Sequence, residues 1–180
     1  MGESRRVKSE WARQHEREDL AGEHRWGDAF QLAMFLLFLI VWGGDSFLLK
    51  LTTGLADQVP LFLRIGMGGV LMALAWILAV RGLRVIFGEE RTVPVVIQEG
   101  VFGRVRHPIY LGAVLLYLGL LVTTLSLAAA GVWIAAILMY HLLSRHEEER
   151  MAAKFGEAYE SYRRRVPMWL PRMGRSHHTP

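Results

Sequence analysis

Apolar positions along the chain gather into four long runs, at residues 29–49, 61–80, 108–122 and 127–143, with charged or polar connections between them. A helix that crosses a bilayer needs about 20 largely apolar residues. The first two runs meet that length and the last two nearly do. The third and fourth are separated only by "TTLS", residues 123–126, and so short a connection makes them an antiparallel hairpin. Their shortness implies tilt or a locally thin bilayer. The pattern predicts an all-α, polytopic membrane protein with about four transmembrane helices.

Beyond residue 143 the character changes. Met151, Phe155, Tyr159 and Tyr162 recur at helical spacing in an otherwise charged stretch, which predicts a C-terminal amphipathic helix able to lie in the membrane interface. The expected organisation is therefore an N-terminal arm over 1–28, a transmembrane domain over 29–171 and a polar tail over 172–180. The arm mixes seven acids with six bases and reads as a solvated or disordered segment.

Composition agrees with a membrane protein: 52% of the residues are hydrophobic and the mean hydropathy is +0.24. There is no cysteine, which excludes disulfides, thiolate-bound metal and thiol nucleophiles. Lysine and arginine concentrate in the arm, in residues 81–106 and in the tail, while the other two connections hold Lys50 and none. By the positive-inside bias both termini and the middle connection are cytoplasmic. Trp26, Trp42, Trp76 and Trp133 fall toward span ends, and no cleaved signal peptide is expected behind so long a charged arm. The net charge of +4 lies beside apolar runs, so anionic lipid headgroups are the expected partners and nucleic acid is not. No metal site is expected, because the five-residue spacing of His141 and His146 separates them around a helix and HExxH is absent. Nothing in the sequence sets an oligomeric state.

Two polar residues interrupt the first two spans. Asp45 and Arg64 both fall near the outer ends and can pair across that hairpin. The second span also carries Gly66, Gly68, Gly69 and Ala73; Gly69 and Ala73 fit the small-xxx-small spacing that lets helices approach closely.

Candidate chemistry lies in "GRVRHPIYLG", residues 103–112. Proline suits the first helical position and pushes the residue before it out of helical conformation, so His107 sits at the cap of the third span. Arg104, Arg106, His107 and the helix's positive end make an anion site there, or the arginines snorkel and anchor the helix in lipid headgroups. Past the fourth span, Glu147 and Glu148 lie four and three residues before Met151 and lean toward its apolar side, whereas Glu149 points away. Carboxylates on that side need a cation, either a ligand's or that of Arg145, Arg150 or Arg106 in a salt bridge. The hairpin returns His107 and Glu148 to one face of the membrane, giving adjacent anion-binding and cation-binding halves. A zwitterion with a carboxylate, an ammonium and a sulfonium, such as S-adenosylmethionine, suits them.

"EGVFGRVRHPIYLG" followed by "EEERMAAKFGEAYESYRRRVPMWLP" resembles the membrane methyltransferases related to isoprenylcysteine carboxyl methyltransferase and the phospholipid methyltransferases. Gly100, Arg106, His107, Pro108, Tyr110 and Gly112 match the first part of that pattern, and Glu147, Glu148, Phe155, Gly156, Tyr159, Tyr162, Val166, Pro167 and Pro171 the second. The resemblance covers roughly residues 98–171. It implies an S-adenosylmethionine-dependent methyltransferase of isoprenylcysteine carboxyl methyltransferase type, with the cofactor in a cytoplasm-facing pocket and a lipid-like or hydrophobic acceptor entering from the bilayer. On it the cofactor falls to Arg106, His107, Pro108, Tyr110, Leu111, Gly112, Glu147, Glu148 and Tyr159, with Arg106, His107 and Glu148 catalytic. The acceptor side falls to Tyr162, Arg163 and Arg164. The pattern's Pro-Tyr after Gly100 is Val101-Phe102 here, so that turn supplies no side-chain hydroxyl. Phospholipid amines, phenolic lipids and thiols are alternative acceptors of the same fold. A sterol-reductase-like oxidoreductase using NADPH and a non-catalytic scaffold or small transporter are the rival classes.

Overall fold

A computed structural model describes residues 27–88 and 95–170. The N-terminal arm, Trp26, Pro171 and the histidine-bearing tail lie outside the described residues. The described chain is helical: α1 (Gly27–Gly43) runs into a π-helical turn (Gly44–Leu49), a short 3-10 turn (Gly54–Gln58) leads to α2 (Leu61–Phe87), and a second 3-10 turn (Gly100–Gly103) precedes α3 (Pro108–Thr124), α4 (Leu127–Phe155) and α5 (Glu157–Arg165). Three apolar segments are long enough to cross a membrane, and α3 is a shorter fourth. Phe30, Ile40, Leu48, Val70, Trp76, Leu138 and Leu142 are all exposed on the bundle surface, as expected of side chains that face lipid. The protein is an all-α polytopic membrane protein.

Two spans extend past their apolar runs. α2 continues to Phe87 and α4 to Phe155: no proline interrupts either extension, and the one glycine in them, Gly82, sits inside α2 facing Ile109. At about 1.5 Å per residue, the 29 residues of α4 span roughly 43 Å, longer than a hydrocarbon core of about 30 Å. Its last turns therefore project beyond the apolar layer and carry Glu147 and Glu148.

The expected helical repeat from Met151 to Tyr162 is broken. Gly156 has φ +53° and joins α4 to α5, a conformation that only glycine adopts without steric cost. Tyr159 and Tyr162 are consequently turned inward on a separate short helix, where they cluster with Val166, Val96, Met151 and Phe155.

α2 and α3 pack antiparallel along a seam of small residues. Gly68 faces the Gly119 carbonyl and Thr123, Gly112 faces Ala75 and Ala79, and Gly82 faces Ile109. Gly68, Ala75 and Gly82, like Gly112 and Gly119, are seven residues apart, the spacing of a seam between left-handed crossing helices. The seam is one position removed from the expected one: Gly69 has open space around it and Ala73 is exposed. Periodicity of three or four cannot tell Gly68 from Gly69; the partner helix does.

α1 packs on α3 and α4 through Phe38, stacked on Tyr117 at 4.6 Å between ring centres, with Ala129, Ala136 and Tyr140 completing a buried core. The α3–α4 turn places Leu125 at φ +51°, and Ser126 Oγ accepts from the Ala129 N–H at 3.1 Å as the cap of α4. Trp42 and Trp133 turn their indole N–H groups inward, to the carbonyls of Leu120 and Val114.

The expected Asp45–Arg64 pair does not form. Asp45 is buried and accepts from Thr52 Oγ1 and Ser126 Oγ, both at 2.5 Å, and from the N–H groups of Leu51 and Thr52 at 3.0 Å. Arg64 donates instead to the carbonyls of Val59 and Thr123. Four hydrogen bonds already satisfy the carboxylate, and chain ends expose carbonyls that a guanidinium caps well. Each residue closes a helix end.

Candidate active site

The candidate site is built where the start of α3 meets the projecting end of α4. His107 has φ −122° and ψ 63°, outside the helical region, and Pro108 opens α3. This bend throws the side chains of Arg106 and His107 across toward α4. Glu148, on the buried stripe of α4 that includes Ala136, Tyr140 and Ser144, meets them.

Glu148 is 4% exposed and is met by three basic side chains. Arg106 Nε donates to its Oε1 at 2.8 Å and Nη2 to its Oε2 at 3.1 Å, a two-pronged contact. His107 Nε2 lies 3.1 Å from Oε1, and Arg163 Nε 3.5 Å from Oε2. The remaining Arg106 nitrogen, Nη1, donates to the carbonyls of Arg163 and Val166, and the Arg106 N–H donates to that of Pro167. One guanidinium thus ties α3, α4 and the segment after α5 together. Planar guanidinium geometry matches a carboxylate and two carbonyls at once, which an ammonium could not do.

Glu147 lies on the next position of α4 and is 17% exposed. Its Oε1 accepts from Tyr110 Oη, and its Oε2 lies 3.6 Å from His107 Nδ1. The His107 and Tyr110 rings lie parallel, 5.7 Å apart, and Trp169 approaches the same imidazole at 6.1 Å. His107 is therefore held between two carboxylates with aromatic rings on its flanks. Below Tyr110, a column of tyrosines runs into the bundle: Tyr110 beside Tyr140 at 5.3 Å, then Tyr140 and Tyr117 with hydroxyls 3.5 Å apart.

Tyr162 Oη donates to the Phe102 carbonyl at 2.8 Å, so the turn that lacks the pattern's tyrosine is reached from the opposite side. Burial pushes the Tyr162 phenol up to about 12, with the Arg106 charge opposing and the Glu148 charge reinforcing the shift. Tyr159 is raised too, burial first and the Glu148 charge second. Both phenols stay protonated under physiological conditions. Arg163 is half exposed and leans on Glu148 and Glu160; Arg164 pairs with Glu157 and Arg165 with Gln98, both toward solvent.

The geometry thus gathers Arg106, His107, Pro108, Tyr110, Glu147, Glu148 and Arg163 into one place. Tyr159 and Tyr162 stand behind it as packing, and Arg164 stands outside it. Leu111 and Gly112 belong to the first turns of α3, where the Leu111 N–H bonds to the His107 carbonyl and Gly112 faces α2. Arg106 and Glu148 are bonded to each other, the salt-bridge alternative to their meeting opposite charges of one ligand. Trp169 and the carbonyls of Arg163, Val166 and Pro167 were not anticipated from sequence; the only signal for them was the "VPMWLP" ending, which names no contact.

A family model described as phospholipid methyltransferase matches residues 63–158, more than half of the chain. The chain belongs to the phospholipid methyltransferase family. Its matched region starts in α2 and ends in α5, so it takes in the α2–α3 seam and both halves of the site. Two curated relatives add to this. A methanethiol S-methyltransferase from Crocosphaera subtropica is 28% identical over 160 residues, covering 80% of this chain and 58% of that protein. A cobalt-zinc-cadmium resistance protein CzcN from Cupriavidus metallidurans is 34% identical over 115 residues, covering 63% of this chain and 51% of that protein. The chain thus spans between half and three-fifths of the length of these relatives. No solved structure matches it.

Proposed function

We propose that the protein is an S-adenosylmethionine-dependent methyltransferase that modifies a lipid-like or hydrophobic acceptor at the cytoplasmic face of the membrane. The observation that carries this reading is the convergence of His107, Glu147 and Tyr110 on one partly open spot, above an aromatic column that leads into the bundle. Membership of the methyltransferase family supports it, and the basic connections near the site support the cytoplasmic orientation.

The residues suit the cofactor chemically. Its ammonium calls for a carboxylate, its own carboxylate for donors at a helix N-terminus, and its adenosine for aromatic flanks. Glu147, the first turn of α3 and the rings of Tyr110 and Trp169 are of those types. S-adenosylmethionine supplies an electrophilic methyl carbon on a sulfonium, whose sulfur leaves as a neutral thioether. In this assignment Glu147 and His107 hold the polar end. The buried Arg106–Glu148 pair acts as a positioning element that fixes His107, and Arg163 completes its charge balance. Since the developing charge is lost rather than gained at sulfur, alignment and exclusion of water do most of the work. An acceptor that carries a proton hands it to the Glu147–His107 pair; a carboxylate acceptor needs no such step.

The methanethiol S-methyltransferase likeness favours a second reading in which the acceptor is a small thiol. Incubation of purified protein with methyl-labelled S-adenosylmethionine, in parallel with lipid extract and with alkyl thiols, tests both. Label in an organic-soluble lipid supports the first, label in a volatile thioether the second, and label in neither overturns the proposal.

A further inference from the structure

Trp169 lies in the segment that follows α5, and its surroundings differ from those of a tryptophan that anchors a membrane protein in headgroups. Such an indole keeps its apolar body in lipid and its N–H toward water. Trp169 Nε1 donates instead to His141 Nδ1 on α4, at 3.3 Å. Its ring lies 6.1 Å from that of His107, inclined at 38°, and packs on the core cluster that includes Tyr140. One indole thus reaches the candidate active site and α4 together.

His141 is an unusual residue to find there. At about 1.5 Å per residue it lies roughly 21 Å along α4 from Leu127 and roughly 9 Å short of Glu147, within the depth of a hydrocarbon core of about 30 Å. It is exposed, as are Leu138 and Leu142 near it, so it stands on a surface that the bundle turns to lipid. An imidazole in that position is costly, and ionisable side chains at membrane depth mark function by default. Its Nδ1 accepts only in the tautomer that carries the proton on Nε2, and in the apolar layer water does not compete for the bond.

The segment that carries Trp169 is fixed at its near end by Arg106, which binds the carbonyls of Val166 and Pro167. Beyond Pro167, the Trp169–His141 contact is the one hydrogen bond of the segment among the described residues. Removing it leaves Trp169 held by packing alone, with the Arg106 contacts as the pivot.

We infer that His141 is a positioning residue of the proposed methyl-transfer site: by holding the Trp169 indole it keeps residues 166–170 closed over His107 on the bilayer side. The inference rests on the cofactor reading given above, in which Trp169 flanks the adenosine. His141 touches neither cofactor nor acceptor and acts through Trp169. With the bond made, the indole walls His107 off from lipid; with it broken, the segment turns outward about Pro167 and the bound molecule can leave.

The chain has no cysteine, so a nitroxide on Leu170→Cys, an exposed position, reports this segment alone by electron paramagnetic resonance in nanodiscs. His141→Leu lowers the ratio of immobile to mobile label about fivefold, the scale of one neutral hydrogen bond. His141→Asn, whose Oδ1 hangs from Cγ as Nδ1 does, keeps the ratio of the parent. Dissociation of labelled S-adenosylmethionine quickens up to about fivefold in the leucine variant and not in the asparagine variant, since release runs through the open segment. Thermal melting in detergent stays at the parent value for both, because His141 fills no core. Unchanged label mobility or an unchanged dissociation rate in His141→Leu, or failure of His141→Asn to restore both, overturns the inference. A parent that binds no cofactor while its label responds as stated upholds closure by His141 and overturns the proposed function instead.

Discussion

His107 Nε2 lies 3.1 Å from Glu148 Oε1 across 41 residues of chain, while its Nδ1 faces Glu147. Two consecutive carboxylates of one helix thus contact opposite sides of a single imidazole, one from the buried side and one from the partly open side. In the proposed assignment that division separates a positioning role from a ligand-facing role, and it leads to distinct behaviours of neighbouring variants.

Glu148→Gln leaves the Arg106 guanidinium buried with its charge unmatched. Breaking a buried pair this way costs about 3–5 kcal/mol, so the variant melts earlier in detergent and loses both cofactor binding and turnover. Glu147→Gln keeps the fold and instead raises the KM for S-adenosylmethionine by about tenfold, the loss of one charged contact. Thermal melting alongside steady-state kinetics distinguishes the two; identical profiles would remove the division of labour.

Gly68→Val drives a side chain into Thr123 Cγ2, 2.6 Å from an ideal Cβ, and into the Gly119 carbonyl at 2.8 Å. Overpacking of this kind costs about 1–3 kcal/mol, more where backbone must move. Gly69→Ala, one residue on, meets open space and gains up to about 1 kcal/mol from helix propensity. A lower melting temperature for the first and an equal or higher one for the second is the expected pair of results.

Asp45→Asn keeps the shape of the carboxylate but replaces one acceptor oxygen by an amide. The two 2.5 Å hydroxyl contacts from Thr52 and Ser126 converge on one oxygen, Oδ2, and hydrogen bonds to a charged group are worth about 1.5–3 kcal/mol. The variant loosens the junction of α1 with the α3–α4 turn. Hydrogen exchange at the amides of Leu51 and Thr52 should accelerate, and unchanged protection there would contradict this role.

Tyr162 has its phenol raised from the ordinary value of 10.0 to about 12, chiefly by burial. The folded state therefore holds this proton more tightly than the unfolded state does. Its contribution is complete below pH 10 and is lost as the pH climbs from 10 to 12. Unfolding of the wild type in detergent should become easier across that window, and Tyr162→Phe should flatten this part of the profile while lowering stability at neutral pH through loss of the Phe102 contact. A wild-type profile with no slope between pH 10 and 12 would contradict the assignment.

Sequence alone carries the four helical runs, the tight α3–α4 hairpin and the meeting of His107 with Glu148, because each depends on local composition or on a connection too short to allow another path. Apolar length selects membrane helices whatever surrounds them, and Pro108 sets the start of α3 by its own covalent geometry. The seam at Gly68 instead of Gly69 and the partners of Asp45 and Arg64 were decided by tertiary packing. In each case several residues of similar type stood within one helical turn, and only the helix or carbonyl brought opposite them selected one. The same reason explains Arg106 and Glu148: their charges are legible in the chain, but whether opposite charges meet a ligand or one another depends on distances that only the folded bundle fixes.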